Sequence, residues 1–153
     1  MAESRAAFPP ATLRLALPCR LGEVRRAASA VHDFLTQQGC AADERADCEL
    51  VLIEACNNAI KHAPKNAGGD AVIIEASCHL ALIELRITDH TPGFDWPNHV
   101  SLPHSESESG RGLFLIRSLT DESSYHRQAA GNVLVLRKKR RPHSGSAGCV
   151  SRK

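Results

Sequence analysis

Glu54, Asn58 and His62 recur at four-residue intervals in the stretch ELVLIEACNNAIKHA, which covers residues 49–63. In an α-helix, residues four apart lie one turn above one another, so these side chains would share one line. A carboxylate can act as a base or orient water, and a carboxamide oxygen is a hard donor of the kind that Mg²⁺ prefers. The spacing therefore permits a metal and phosphate site, although the solvated face of any surface helix can look the same.

The helix that would carry these residues also has an apolar stripe. At 3.6 residues per turn the stripe consists of Cys48, Leu52, Ala55, Cys56, Ala59 and Ala63. Asp43 is placed to cap the start of the helix, and Pro64 prevents its continuation. We therefore predict a helix over 43–63 with one buried face and one polar face.

Hydrophobic periodicity predicts the elements that would position this helix. Alternating or short apolar runs predict strands over 12–19, 71–78, 81–89, 123–128 and 133–138. Three- and four-residue spacing predicts helices over 22–38, ended by Gly39, and over 112–119. The segment between them, about 91–109, has no periodicity and is long enough to form a lid over a site. We predict an α+β fold, a two-layer α/β sandwich with a mixed, mainly antiparallel sheet and helices on one face.

Composition limits the class of protein. The 153 residues suffice for one domain, and the 19 Lys and Arg against 17 Asp and Glu give a net charge of +2, much of it near the C-terminus, so we expect no direct nucleic-acid binding. Six cysteines without a CxxC pair suggest reduced thiols rather than disulfides or zinc. No apolar run approaches a membrane span or a signal peptide, so we expect a cytoplasmic protein with no membrane association. We expect residues 1–11 to be a flexible lead, 12–138 the domain, and 139–153 a basic, disordered tail.

Two glycine-bearing segments flank the predicted lid. Gly110 and Gly112 enclose Arg111 where the last helix begins, and the backbone N–H groups and dipole at a helix start favour an anion such as phosphate. Before the lid, Asp89 ends a predicted strand and Gly93 follows it. Each segment taken alone also fits an ordinary turn.

Taken in order, Glu-x3-Asn-x3-His, Asp-x3-Gly-Phe and Ser-Gly-Arg-Gly-Leu resemble the GHKL, or histidine kinase-like, ATPase superfamily. The chain is more closely similar to the anti-sigma factor serine/threonine-protein kinases of bacterial partner-switching systems. The resemblance covers roughly residues 12–138, and GRGLFLIRSLTDE is its most specific piece. It implies a Bergerat-type ATP-binding fold that uses ATP and Mg²⁺. It also implies serine kinase activity on a STAS-domain anti-sigma antagonist, sequestration of a sigma factor, and a possible homodimer.

The resemblance also implies a role for each matched residue. Glu54 would be the catalytic glutamate, Asn58 the Mg²⁺ ligand, and His62 would lie near the phosphates together with Lys61. Asp89 would accept a hydrogen bond from the adenine amino group. The remaining matched residues would line the nucleotide pocket or hold the phosphates: Gly93, Gly110, Arg111, Gly112 and Asn132, the last of which stands where the family usually has threonine.

One departure from the family pattern keeps a second function open. Thr91 replaces the middle glycine of the common Asp-x-Gly-x-Gly, and a β-branched residue tolerates positive φ poorly, which counts against tight nucleotide binding. The alternative is a non-catalytic module that sequesters its partners with weak or no nucleotide dependence. A sensor histidine kinase fragment is disfavoured because no phosphoacceptor helix precedes the domain. Arg25 and Arg26, outward on the first helix, mark a candidate partner surface or a plain solvated face.

Overall fold

The computed structural model describes residues 9–64, 71–100 and 110–141. The elements in these ranges are β1 (Ala11–Leu17), α1 (Val24–Gln37), α2 (Ala42–Lys61), β2 (Val72–Cys78), β3 (Leu82–Asp89), α3 (Arg111–Leu119), β4 (Glu122–His126) and β5 (Asn132–Lys139). A 3-10 turn at Leu21–Glu23 precedes α1. The predicted order of elements is confirmed. The predictions for residues 1–8, 65–70, 101–109 and 142–153 lie outside the described residues. No helix in the described ranges is long and apolar enough to cross a membrane.

The five strands form one sheet in the order β1-β2-β3-β5-β4. Each neighbouring pair is antiparallel, so the predicted α+β class with a mainly antiparallel sheet is confirmed. The prediction allowed for a mixed sheet, but no parallel neighbours occur among the described strands. The reason is that β5 lies between β3 and β4, which run in the same direction and would otherwise have paired in parallel.

The helices pack on one face of the sheet. Alternate residues of β2 and β3 are buried on this face, as period-two patterning requires, and they form one core with all three helices. Leu35, Leu52 and Ile116 are fully or almost fully buried contributions from α1, α2 and α3. The opposite face carries ion pairs such as Glu84 with Arg137, whose nearest atoms lie 2.7 Å apart. The predicted two-layer arrangement is therefore confirmed.

Both ends of α2 differ from the prediction. The N-cap is Ala41 and not Asp43, because Glu44 accepts a hydrogen bond from the Ala41 N–H at 2.9 Å and supplies the capping contact. Asp43 lies in the first turn instead, where a carboxylate interacts favourably with the helix dipole. The helix ends at Lys61, so Ala63 does not extend the buried stripe.

The segment after β5 packs against the connection between α1 and α2. The Arg141 N–H donates to Oε1 of the buried Glu44 at 2.8 Å, and the Arg140 guanidinium donates to the carbonyls of Gln38 and His79. These two arginines belong to the stretch that we expected to be a disordered tail. In the structure, the part of that stretch up to residue 141 is docked on the domain.

Candidate functional site

A cavity of about 910 Å³ lies between α2, α3, the end of β3 and the segment after it. Small-molecule sites commonly have volumes of about 300–1,000 Å³. Most of the predicted site residues line this cavity: Glu54, Asn58, His62, Asp89, Gly93, Gly110, Arg111 and Gly112. The buried core residues Ile87, Ile116 and Leu134 give it an apolar floor. The fold thus brings together three segments that lie far apart in sequence.

Glu54 and Asn58 face the start of α3 across a narrow gap. They lie one turn apart on α2 and are both half-buried. A Cβ atom placed on Gly112 would be 2.9 Å from Oε2 of Glu54 and 3.4 Å from Nδ2 of Asn58. Position 112 can therefore hold only glycine unless the carboxylate moves. The carboxylate and carboxamide adjoin the backbone of the second glycine segment.

The start of α3 is suited to bind an anion. Gly110 has φ of +99°, a left-handed conformation that favours glycine, and its carbonyl accepts the first helical bond from the Phe114 N–H. The N–H groups of the first turn have no acceptor within the helix. Lys61, His62 and Arg111 are exposed and line the same cavity. Cationic side chains and N–H groups beside one cavity favour a phosphate-bearing ligand.

Asp89 provides a fixed acceptor inside the cavity. It is 8% exposed, and its Oδ1 accepts hydrogen bonds from the Thr91 N–H (2.9 Å), the Thr91 hydroxyl (2.7 Å) and Nδ2 of Asn132 (3.1 Å). All three bonds reach Oδ1, and among the described residues no donor bonds to Oδ2, which can therefore accept a bond from a ligand. An oriented, buried carboxylate of this kind suits the amino group of a base.

The strain that we expected at Thr91 is absent. Among the described residues only glycines have positive φ, so Thr91 keeps an ordinary backbone conformation. Its hydroxyl donates to Asp89 and accepts from the Gly93 N–H at 3.2 Å, while Gly93 itself takes a φ of +81°. Threonine stabilises this turn through side-chain bonds to the backbone.

Asn132, which is predicted to lie beside the nucleotide, is placed against Asp89. It is 5% exposed and does not belong to the cavity lining. It lies opposite Asp89 in the β3–β5 ladder, and its Nδ2 donates to Asp89 and to the Thr91 carbonyl at 2.8 Å. Asn132 therefore orients the carboxylate of Asp89 from behind.

An aromatic wall of the cavity was missed from the sequence. Phe94, Trp96 and Tyr125 all line the cavity, with ring centroids 4.5 Å apart for Phe94–Tyr125 and 6.0 Å for Trp96–Tyr125. Burial, and then the negative charge of Asp89, raise the pKa of Tyr125, so its phenol stays protonated at neutral pH. Trp96 and Tyr125 are the single Trp and the single Tyr of the chain, and this was the available signal.

Two arginines fix the first part of the predicted lid. Arg117 of α3 donates to the carbonyls of Pro97 and Asn98, and its guanidinium lies 5.2 Å from the centroid of the Trp96 ring. Arg127, just after β4, donates to the Pro92 carbonyl at 3.2 Å. Residues 91–98 are thus attached to both α3 and the sheet edge. The remainder of the predicted lid, 101–109, lies outside the described residues.

Comparison with known sequences agrees with this geometry. Residues 17–138 match the histidine kinase-like ATPase domain family. Relatives include the serine-protein kinase RsbW of Bacillus thuringiensis (strain Al Hakam) and that of Bacillus anthracis (strain A0248). Each is 27% identical over 110 residues, which covers 66% of this chain and 68% of the relative.

Solved structures have the same fold. The RsbU and RsbW domains of Rv1364c from Mycobacterium tuberculosis match with a TM-score of 0.65 at 17% identity over 88% of this chain, which spans about a third (33%) of that chain. A chain of the SiaB–SiaC complex from Pseudomonas aeruginosa matches with a TM-score of 0.52 at 15% identity, covering 83% of this chain and 89% of that chain. This chain belongs to the histidine kinase-like ATPase domain family, and its resemblance to the bacterial anti-sigma factor serine kinases is confirmed.

Proposed function

We propose that this protein is an ATP-dependent serine kinase that phosphorylates a STAS-domain anti-sigma antagonist and sequesters a sigma factor in a cytoplasmic partner-switching circuit. The observation that carries the proposal is the close approach of Glu54 and Asn58 to Gly112, where an added Cβ would lie 2.9 Å from Oε2 of Glu54 and 3.4 Å from Nδ2 of Asn58. A base, a metal-binding amide and a phosphate-binding helix start meet there in one cavity. The relatives named serine-protein kinase RsbW support the same activity.

The residues present fit Mg²⁺-ATP. Oδ2 of Asp89 would accept a hydrogen bond from the adenine amino group, and Gly93 leaves room beside it. The N–H groups of Gly110, Arg111 and Gly112 would hold the phosphates, with Lys61 and His62 adding positive charge. The carboxamide oxygen of Asn58 would bind Mg²⁺. Bound ATP with its metal supplies a transferable γ-phosphoryl group.

Glu54 is the candidate base for the transfer. Its carboxylate would accept the proton of a partner's serine hydroxyl as that oxygen bonds to the γ-phosphorus. The bond from the γ-phosphorus to the bridging oxygen breaks at the same time, and ADP leaves with the electron pair. Gly112 limits the positions open to the carboxylate, because a Cβ there would lie 2.9 Å from Oε2. Glu54 thus orients the serine hydroxyl as well as taking its proton.

Phosphorylation would drive the exchange of partners. A phosphoserine adds about 1.5 to 2 negative charges at neutral pH, enough to destabilise a packed interface. The kinase freed from its antagonist would then bind the sigma factor. The outward arginines of α1, Arg25 and Arg26, are our candidate contact surface. The Arg26 side chain is 82% exposed and pairs with Glu23 at 3.4 Å. A homodimer is proposed by analogy with relatives.

A transfer assay with Glu54→Ala tests the role of Glu54. The purified protein, incubated with Mg²⁺-ATP and its cognate antagonist, should phosphorylate a serine, and Glu54→Ala should abolish transfer while nucleotide and partner binding persist. Glu49→Ala is the matched control, because Glu49 lies on the same helix but pairs with His32 at 3.1 Å outside the cavity. Undiminished transfer by Glu54→Ala would remove Glu54 from the mechanism.

Thr91 made the alternative of a non-catalytic binding module more plausible, because a β-branched residue tolerates positive φ poorly. Thr91 has an ordinary φ and hydrogen-bonds Asp89, so this argument against nucleotide binding does not apply. Titration of the folded protein with ATP in a calorimeter separates the two functions. Absence of heat at millimolar ATP and Mg²⁺ would leave only the binding module.

A further inference from the structure

Two buried cysteines from separate parts of the chain lie in contact. Sγ of Cys40, in the connection between α1 and α2, is 3.6 Å from Sγ of Cys78, the last residue of β2. Both residues are buried, with 5% and 6% exposure. The distance fits a thiol–thiol hydrogen bond in the reduced protein. It also places the two sulfurs within a short movement of bonding distance.

The geometry around the pair permits that movement. A disulfide bond is about 2.05 Å long, so the sulfurs would have to approach by roughly 1.5 Å, which rotation about the two Cα–Cβ bonds can share. Cys40 follows Gly39, which has a φ of +70°, and its N–H donates to the Leu35 carbonyl at 3.0 Å, so the side chains and not the backbone would supply the movement. Cys48 and Cys56, which are equally buried, make no such contact within the described ranges.

We propose that Cys40 and Cys78 are a redox modification site that takes a hydroperoxide as oxidant and forms a reversible disulfide. The bond would attach the α1–α2 connection to the end of β2. It does not depend on the kinase function proposed above, because neither cysteine belongs to the residues that line the cavity.

The chemistry assigns the two sulfurs different roles. A guanidinium nitrogen of Arg140 donates to Sγ of Cys78 at 3.3 Å, which places a positive charge beside that sulfur. Burial and the hydrogen bond with Cys78 raise the pKa of Cys40 to about 12, so Cys40 stays protonated at neutral pH. Cys78 is therefore the sulfur that reacts first, and Cys40 is the resolving thiol.

The reaction balances with one peroxide for each disulfide. The Cys78 thiolate attacks one peroxide oxygen and breaks the O–O bond, which gives a sulfenic acid and hydroxide. The Cys40 sulfur then attacks Sγ of Cys78, forms the S–S bond and releases its proton, and the displaced hydroxide becomes water. The hydroxide released first takes up the proton that Cys78 lost on ionising. The two thiols together lose two electrons, and hydrogen peroxide is reduced to two water molecules, or an organic hydroperoxide to an alcohol and one water.

The bridge would enclose residues 40–78, a loop that contains all of α2. Closing such a loop restricts the unfolded chain, so the oxidised protein should melt several degrees higher than the reduced protein. A reductant such as dithiothreitol should reverse the shift. The shift is a readout separate from any phosphoryl transfer.

Peptide mapping of the full chain tests the proposal directly. The protein is treated with hydrogen peroxide, alkylated in denaturant without reductant, and digested with trypsin. The tryptic peptides 27–45 and 66–86 contain Cys40 and Cys78 respectively and no other cysteine. We expect these peptides to appear as one disulfide-linked species that reduction separates.

Variants control for the other thiols. Cys56→Ala should form the same linked species, because Cys56 is buried away from the pair, whereas Cys78→Ser should lose both the species and the melting shift. The wild-type map needs no variant and decides the matter if Cys78→Ser folds poorly. Peroxide exposure continues until Cys19 is oxidised. The proposal would be overturned if Cys40 and Cys78 were then recovered as alkylated free thiols. A bond from either cysteine to a different partner would overturn it as well.

Discussion

Gly112→Ala should change the stability and the activity of this protein in opposite directions. The added Cβ would lie 2.9 Å from Oε2 of Glu54, whereas ordinary contacts begin near 3.4 Å. The nearest atom is the end of a flexible side chain, so the carboxylate and not the backbone would move, by the difference of about 0.5 Å. The substitution therefore acts on the proposed base and leaves the fold in place.

The two expected effects have opposite signs. Position 112 lies in the first turn of α3, where alanine is favoured over glycine, so the free energy of unfolding should rise by up to about 1 kcal/mol. A displacement of about 1 Å in a reacting group can cost about 100-fold in rate. Half that displacement should cost on the order of 10-fold, or about 1.4 kcal/mol of transition-state stabilisation.

Urea denaturation measures the stability of the variant, and single-turnover transfer of labelled phosphate to the antagonist measures its activity. Gly22→Ala is the matched control, because no atom lies within 4 Å of a Cβ at that position. The control should leave the transfer rate unchanged. A full transfer rate in Gly112→Ala would show that Glu54 does not act from the position described. A loss of several kcal/mol in stability would show that the backbone, and not the side chain, had moved.

Three further substitutions test other parts of the site and core. Gly93→Ala forces alanine to a φ of +81° and places its Cβ 2.9 Å from Nε of Arg127. The free energy of unfolding, measured by urea denaturation, should therefore fall by roughly 1–2 kcal/mol, and an unchanged value would contradict the left-handed turn. Asn132→Ala removes one of the three hydrogen bonds to Oδ1 of Asp89, and such a bond contributes about 1 kcal/mol. The affinity for ATP, measured by calorimetry, should fall about 5-fold. An unchanged affinity would refute the role of Asn132 in positioning Asp89. Burial raises the pKa of Cys56 from 9.0 to about 12, so its contribution to stability is complete below about pH 9 and is lost as pH rises toward 12. Between about pH 8.5 and 10.5 the wild type should lose unfolding free energy faster than Cys56→Ala, and parallel curves would contradict the burial of that thiol.

Local patterns in the sequence were sufficient to predict the elements and much of the cavity. The period-two alternation of β2 and β3 reflects burial of one face only, and the spacing of Glu54 and Asn58 places both side chains on one side of α2. The ends of the helices and strands depend on contacts between residues that are distant in sequence, and they were predicted less well. Glu44, for example, caps α2 and also accepts a bond from the Arg141 N–H, 97 residues further along the chain. Periodicity carries no information about such a pair.

Strand order explains what the sequence could not predict about the part of the cavity around Asp89, where the adenine base is proposed to bind. Because β5 lies between β3 and β4, Asn132 comes directly opposite Asp89, 43 residues away in sequence, and bonds its carboxylate from behind. The same order puts Tyr125 beside Leu134, so its ring reaches the segment after β3 and contacts Phe94. The motif comparison predicts only that the Asn132 position lies beside the nucleotide, and it carries no information about the ladder pairing that places this side chain against Asp89. The acceptor at Asp89 is thus oriented by the sheet itself. A substitution outside the cavity lining that shifts the β3–β5 register should therefore alter nucleotide recognition.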